Sequence, residues 1–191
     1  DLGHEKDQAD CQAGGECNAG MILQDFVDRR GQFYSGGISS PLTAPKSCSR
    51  LSAHLAFGTI SIRRVWQATE QKRSEVRGLL MTETNQSVRK QLRRWQKSIQ
   101  SMQSRLHWHC HFIQKLEFEP QLEFRCMHIN YEHVRNQNTL NAEEEHLLNL
   151  WKQAKTGFPL IDACMNYLKT TGWINFRMRA MLVSFASNNL W

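Results

Sequence analysis

Apolar residues along this chain return every three or four positions, the period of a helix face, and nowhere alternate as a half-buried strand would. Ile22, Leu23, Phe26 and Val27, with charged residues between them, predict a first helix after a polar leader at residues 1–20. Leu51 and Leu55 mark a short helix that Ser49 is expected to cap and Gly58 to stop, because glycine tolerates the left-handed turn that ends helices. Ser61 caps the next, with Ile62, Val65, Trp66 and Thr69 on one face. Val88, Leu92, Trp95, Ile99, Met102, Leu106, Cys110, Ile113 and Leu116 continue the spacing up to Pro120, which gives one long helix or two abutting ones.

Residues 120–140 mix Asn, His and Arg without a clear period, so no element is assigned there. Asn141 followed by Glu143, Glu144 and Glu145 starts another helix, since carboxylates suit the positive end of the helix dipole. Leu147, Leu148 and Trp151 are its expected inner face and Lys155-Thr156-Gly157 its end. Pro159 opens a helix that buries Ile161, Cys164, Met165 and Leu168 and stops at Gly172. A last helix runs from about Ile174 to the chain end. The fold class is all-α and bundle-like. Residues 35–48, rich in Gly, Ser and Pro, read as a loop between helices, of the length that often carries function.

Composition narrows the partners. With 191 residues the chain fits one domain with a sizeable core. Lys plus Arg is 24 against 18 for Asp plus Glu, a net charge of +6, which favours an acidic partner such as nucleic acid or phosphate. No apolar run approaches the roughly 18 residues of a membrane span, and no secretory leader is visible. Six Cys without a CxxC pair read as reduced thiols of a cytoplasmic protein. The chain opens on Asp rather than Met and stops in a helical pattern, as a piece of a longer protein would.

Three clusters have chemical potential. His107 and His111, one turn apart around Trp108 and Cys110, have the ligand types of a zinc site, but further ligands would have to come from other helix faces. They read as packed structural histidines, and no metal is expected. Arg89, Lys90, Arg93, Arg94 and Lys97 form a basic face opposite Val88, Leu92, Trp95 and Ile99. It reads first as a solvated face; the alternative is a surface that tracks phosphates. Ser47-Cys48-Ser49-Arg50-Leu51-Ser52 gathers hydroxyls, a guanidinium and backbone N–H groups at a helix start. A bound phosphate and a plain serine cap beside a surface arginine both fit that pattern.

The run CSRLSAHLAFGTIS at Cys48 to Ser61, the segment WKQAKTGFPLIDACMNYLKTTGW at Trp151 to Trp173, and NFRMRAMLVSFASNNL after it closely resemble the FAD-binding helical domain of the DNA photolyase and cryptochrome family. The resemblance implies that residues 21–191 are the first part of that domain, without the family's antenna domain or the domain's C-terminal part. By position it implies that Tyr34 and the stretch Ser47, Cys48, Ser49, Arg50, Leu51 and Ser52 lie at the FAD phosphates and ribitol. It places His109 and Arg179 at the flavin pocket, Trp108 at the substrate cavity and Trp151 in a tryptophan chain that relays electrons to the flavin. The activity it implies is light-driven electron transfer from reduced FAD to pyrimidine lesions in DNA; the alternative is a cryptochrome-type blue-light receptor that binds FAD without repair.

Departures from the family pattern favour the alternative slightly. Where repair enzymes usually read Asn-Glu-Leu-x-Trp-Arg-Glu-Phe, this chain has Ser104-Arg105-Leu106-His107-Trp108-His109-Cys110-His111, so Arg105 stands in place of a lesion-binding carboxylate and His109 in place of an arginine. Phe176 stands where the family places an Asn after the TGW motif. The resemblance also puts the segment that cups the flavin ring beyond Trp191, so FAD is expected to be held weakly or not at all by this chain alone.

Overall fold

The computed structural model describes residues 11–132 and 141–190, and every regular element among them is helical. Helix α1 is Glu16–Asp28. It begins inside the expected leader because Ala19, fully buried, is already a core residue. The expected loop at 35–48 contains two single-turn helices, α2 (Tyr34–Gly37) and α3 (Ala44–Ser47). They form because residues 34 and 44 are buried anchors on which the intervening Gly, Ser and Pro positions fold back.

Ser49 does not cap the next helix. Leu51 is the N-cap residue of α4 (Ser52–Ala56), and the Ser49 hydroxyl only accepts a long bond from the Leu51 N–H, at 3.5 Å. Ser61 does cap α5 (Ile62–Thr82), accepting from the Arg64 N–H at 3.2 Å. The long apolar series is one continuous helix, α6 (Gln86–Phe118), which Asn85 caps by accepting from Ser87 and Val88. Arg89 is not part of a free basic face: its guanidinium donates to the Leu80 and Glu83 carbonyls at 2.9 and 2.6 Å and so closes the end of α5.

Residues 120–132 hold two short 3-10 turns, Pro120–Glu123 and Ile129–Tyr131. The rest of the unassigned stretch, 133–140, lies outside the described residues. Helix α7 (Ala142–Gln153) opens with a reciprocal cap, the Asn141 side chain accepting from the Glu144 N–H and the Glu144 carboxylate from the Asn141 N–H. It stops two residues earlier than expected because Ala154 turns left-handed. Its Leu147, Leu148 and Trp151 are half-buried rather than core. Helix α8 (Pro159–Thr171) ends on left-handed Gly172 as its sequence predicts, and α9 (Phe176–Asn189) starts two residues late because Asn175 is extended.

Two main cores result. Leu23, Phe26, Val27, Tyr34, Leu51, Val65, Met102 and Leu106 join α1, α5 and α6 around the 34–51 segment. Ile161, Cys164, Met165, Ile174, Met178, Leu182 and Phe185 join α8 and α9. A smaller cluster of Val76, Leu92 and Ile99 zips the far end of the α5–α6 hairpin. Among the described residues no helix is long and apolar enough to cross a membrane.

Candidate functional site

The segment from Tyr34 to Ser52 lies across α6, held by a buried serine. The Ser98 hydroxyl, fully buried, donates to the Gln32 carbonyl at 3.1 Å and accepts from the Ser35 N–H at 3.1 Å. Tyr34 packs edge-on against Phe26, ring centres 5.6 Å apart, with only 7% of its surface exposed. Its hydroxyl has no hydrogen-bond partner among the described residues. Burial, and then the nearby Cys48 sulfur, push its pKa up to about 12, while the Arg105 charge works the other way. Tyr34, Cys48 and Arg105, separate in sequence, therefore surround one spot.

Cys48 is half-buried, and that burial pushes its thiol up to about 11 against the opposing charges of Arg50 and Arg30. Arg30 is structural. It pairs with Asp25 and donates to the Cys48 and Ser49 carbonyls, which pins the back of the 47–52 turn. Burial favours a neutral Asp25, but its bonds to Arg30 and Arg29 outweigh that and hold its pKa below the ordinary carboxylate value.

At Arg50 the backbone takes φ 63°, a conformation that costs an ordinary residue on the order of 1 kcal/mol. Two contacts absorb that cost. Gln12 and Arg50 exchange bonds, the Gln12 amide donating to the Arg50 carbonyl at 2.8 Å and the Arg50 Nε donating back to Gln12 at 3.2 Å. The guanidinium also lies over the Trp173 ring, 4.3 Å from its centre. Neither Gln12 nor Trp173 is visible as a partner in the sequence, because 38 and 123 residues separate them from Arg50 and no period links them. A second tie runs nearby, from the Asn175 amide to the Ile38 carbonyl at 2.9 Å.

Beside this turn opens a cleft of about 990 Å³ whose walls include Arg29, Lys46, Ser47, Arg50 and Arg94, with Asp25 its one carboxylate. Of the residues the sequence singled out for the phosphates, Ser47 and Arg50 line this cleft, with Thr43, Lys46 and Arg94 as further donors suited to an anion; Tyr34, Cys48, Ser49, Leu51 and Ser52 are not among its lining residues. The short α4 adds little dipole, so the anion reading rests on those donors rather than on a helix end.

Arg105 is on α6, as are Trp108 and His109; Trp151 is on α7, and Phe176 and Arg179 are on α9. Trp108 is 50% exposed and touches His111 and Phe112, while His107 stacks edge-on against Trp66 at 5.2 Å. Phe176 is 77% exposed, and Arg179 reaches only the Ile174 carbonyl, at 3.5 Å. His109 Nδ1 and Trp151 Nε1 are buried polar atoms without a partner among the described residues. No hydrogen bond or ring contact joins Trp151, Phe176 or Arg179 to Tyr34 or to residues 47–52 among the described residues.

The chain is similar to known proteins over nearly its whole length. The family model for the FAD binding domain of DNA photolyase matches residues 102–191. A deoxyribodipyrimidine photo-lyase of Synechococcus is 30% identical over 176 residues, 92% of this chain and 32% of that protein. Cryptochrome-1 of Drosophila melanogaster is 26% identical over 197 residues, 93% of this chain and 31% of that protein. The crystal structure of a class III photolyase from Agrobacterium tumefaciens superposes with a TM-score of 0.77 at 25% identity, covering 99% of this chain and 35% of that one. These matches support a fragment of the DNA photolyase and cryptochrome family. The chain is similar to part of that family's FAD-binding helical domain and spans about a third of the length of the relatives it matches. Photolyases and cryptochromes both stand among these relatives, so the likeness leaves repair and light sensing equally open.

Proposed function

We propose that this chain forms the phosphate-side wall of an FAD site in a light-driven flavoprotein that acts on pyrimidine lesions in DNA. The observation that carries the reading is the turn at Arg50, a strained backbone held by Gln12 and Trp173 inside the CSRLS run, beside the unbonded Tyr34 hydroxyl. Strain of this kind persists where surrounding contacts over-determine it and is frequent at ligand sites. Tyr34, Ser47, Ser49 and Ser52 would hold the diphosphate through hydroxyls and Arg50 through its backbone N–H, while Cys48, its own N–H bonded to the Ala44 carbonyl, and Leu51, whose N–H reaches the Ser49 hydroxyl, would shape the turn. His109 and Arg179 would flank the flavin ring. Bound FAD in its reduced form supplies light-driven one-electron chemistry. Trp151, its indole N–H buried and unpaired, is the residue of this chain suited to relay an electron. Trp108, half-exposed at the surface, is suited to stack on a lesion base taken out of the duplex.

The test is a titration of the chain with FAD followed by flavin fluorescence, then gel filtration and a visible spectrum. Weak saturable binding that pyrophosphate competes away, with little flavin surviving the column, is expected. No binding up to millimolar FAD, or binding indifferent to pyrophosphate, would overturn the phosphate-side assignment.

The photoreceptor reading is favoured by two residues, Arg105 in place of a carboxylate and the exposed Phe176 in place of an amide. Preference for a duplex carrying a thymine dimer over the undamaged duplex supports repair. Equal affinity for both, with flavin photoreduction intact in the longer protein, supports light sensing.

A further inference from the structure

Between α5 and α6 lies a recess of about 220 Å³, lined by Glu70, Arg73, Ser74 and Arg77 of α5 and by Gln96 and Gln100 of α6. Spacings of three and four residues keep the α5 set within about 100° of arc and the α6 pair within about 40°. Arg94, in the wall of the cleft beside Arg50, stands more than about 100° around α6 from both glutamines, so the recess is a separate place on the fold. Arg73 is held from behind. Its guanidinium donates to the Glu70 carboxylate at 2.9 Å and to Gln103 Oε1 at 3.5 Å. Gln103, 3% exposed, donates in turn to Glu70 at 3.0 Å and to the buried Thr69 hydroxyl at 3.4 Å. The other N–H groups of the Arg73 guanidinium stay available. The side chains of Ser74, Arg77, Gln96 and Gln100 make no hydrogen bond or ion pair among the described residues. Arg77 has a like charge, Arg73, one turn before it and no carboxylate three or four residues away on either side, an arrangement that costs a helix stability.

We infer that this recess binds a single phosphoryl group, as inorganic phosphate or a small phosphate monoester. Two guanidiniums, a hydroxyl and two carboxamides reach it from two helices, so donors surround a tetrahedral oxyanion instead of meeting the one flat edge of a carboxylate. A metal cation has little to bind, because Glu70 is the one carboxylate in the lining and Arg73 and Gln103 already engage it. The volume lies below the roughly 300 to 1,000 Å³ of pockets that enclose a drug-sized ligand, so the recess takes the charged group and leaves any organic part in solvent. A bound anion also offsets the repulsion between Arg73 and Arg77.

The test is a titration of the chain with sodium phosphate at constant ionic strength, followed by the side-chain N–H resonances of Arg77, Gln96 and Gln100 in nitrogen–proton correlation spectra. Saturable shifts at these groups are expected, and sodium chloride should not reproduce them. Arg77→Gln and Gln100→Glu should each weaken the binding read at Gln96 by about tenfold or more, the first by deleting a charge-assisted bond and the second by placing a carboxylate in the recess. Both residues are exposed, and circular dichroism verifies the fold of both variants. Arg94→Gln, in the wall of the other cleft, should leave that affinity within about twofold. Absent or chloride-like shifts, Arg77→Gln binding as the parent does, or a loss on Arg94→Gln equal to that on Arg77→Gln would overturn the site. Glycerol phosphate run in parallel separates the sources: tighter binding than phosphate assigns a monoester, and weaker binding assigns the free ion.

Discussion

Gly37 and Ser47 pack so tightly that a Cβ on Gly37 would fall 2.5 Å from the Ser47 Cβ and closer still to its hydroxyl. This contact seats α2 against α3 and, with the Thr43 hydroxyl donating to the Gly37 carbonyl at 2.8 Å, fixes where the chain turns toward Arg50. Gly37→Ala should lower stability by about 1 to 3 kcal/mol through overpacking. Adding Ser47→Gly should recover part of that loss. Thermal melts by circular dichroism decide it, and a Gly37→Ala chain as stable as the parent would show that the two turns move apart freely.

Arg50 offers a second test, because two effects of opposite sign act at one position. Arg50→Ala keeps the left-handed backbone cost and the carbonyl that accepts from Gln12, and loses the Trp173 stack and the Nε bond to Gln12. Arg50→Gly loses the same contacts but relieves the backbone, so it should be the more stable of the two by about 1 kcal/mol. Urea midpoints of the two variants should therefore rank glycine above alanine; the reverse order would mean that Arg50 is not held left-handed in solution.

Most helices were legible in the sequence because each buries a stripe whose period survives in the residue order. Ser61, Pro159 and Gly172 mark their boundaries by local chemistry alone. Ser49 misleads because the chain after it must turn left-handed at Arg50 before α4 can begin, and the contacts that make this turn tolerable come from distant Gln12 and Trp173. Arg89 misleads for a related reason: a cation on an exposed helical stripe becomes structural only when the preceding helix ends within its reach. Within the site, the hydroxyl-rich run was visible as composition, but the gathering of Tyr34, Cys48 and Arg105 depends on how the 34–52 segment crosses α6.

Tyr34 links the site to alkaline stability. Its pKa in the folded chain, about 12, lies above the ordinary tyrosine value of about 10. The neutral form is thus favoured by folding; the stability it contributes is complete below about pH 10 and is lost as pH rises through about 12. Tyr34→Phe removes that dependence. Melts of the two chains across this range should diverge, the parent falling faster, with the Cys48 contribution common to both. Parallel curves would mean that the phenol reaches solvent freely.

Asp162, like Asp25, contributes to the acid limb. Burial alone favours its neutral form, yet the Thr156 hydroxyl and the N–H groups of Thr156 and Gly157 donate to its carboxylate at 2.7 to 2.9 Å and lower its pKa below the ordinary value. The stability this contributes is present above about pH 4 and is lost as pH falls through the lower folded value. Asp162→Asn should melt below the parent at neutral pH and converge with it in acid. A constant gap between the chains across that range would assign the effect to packing instead.

Helix α6 is about 50 Å long at 1.5 Å per residue, and its two halves differ in what covers them. Leu92, Ile99, Met102 and Leu106 are sealed against α5 and the 34–52 segment, whereas Trp108, Phe112, Ile113, Leu116 and Phe118 face outward among the described residues. A single hydrogen-bonded rod therefore joins a region that opens only with global unfolding to one that opens by fraying from its end. Amide exchange should slow steeply on crossing from Trp108 back to Met102, so that the arginine at position 105 sits on the boundary between the fast-exchanging and the slow-exchanging turns.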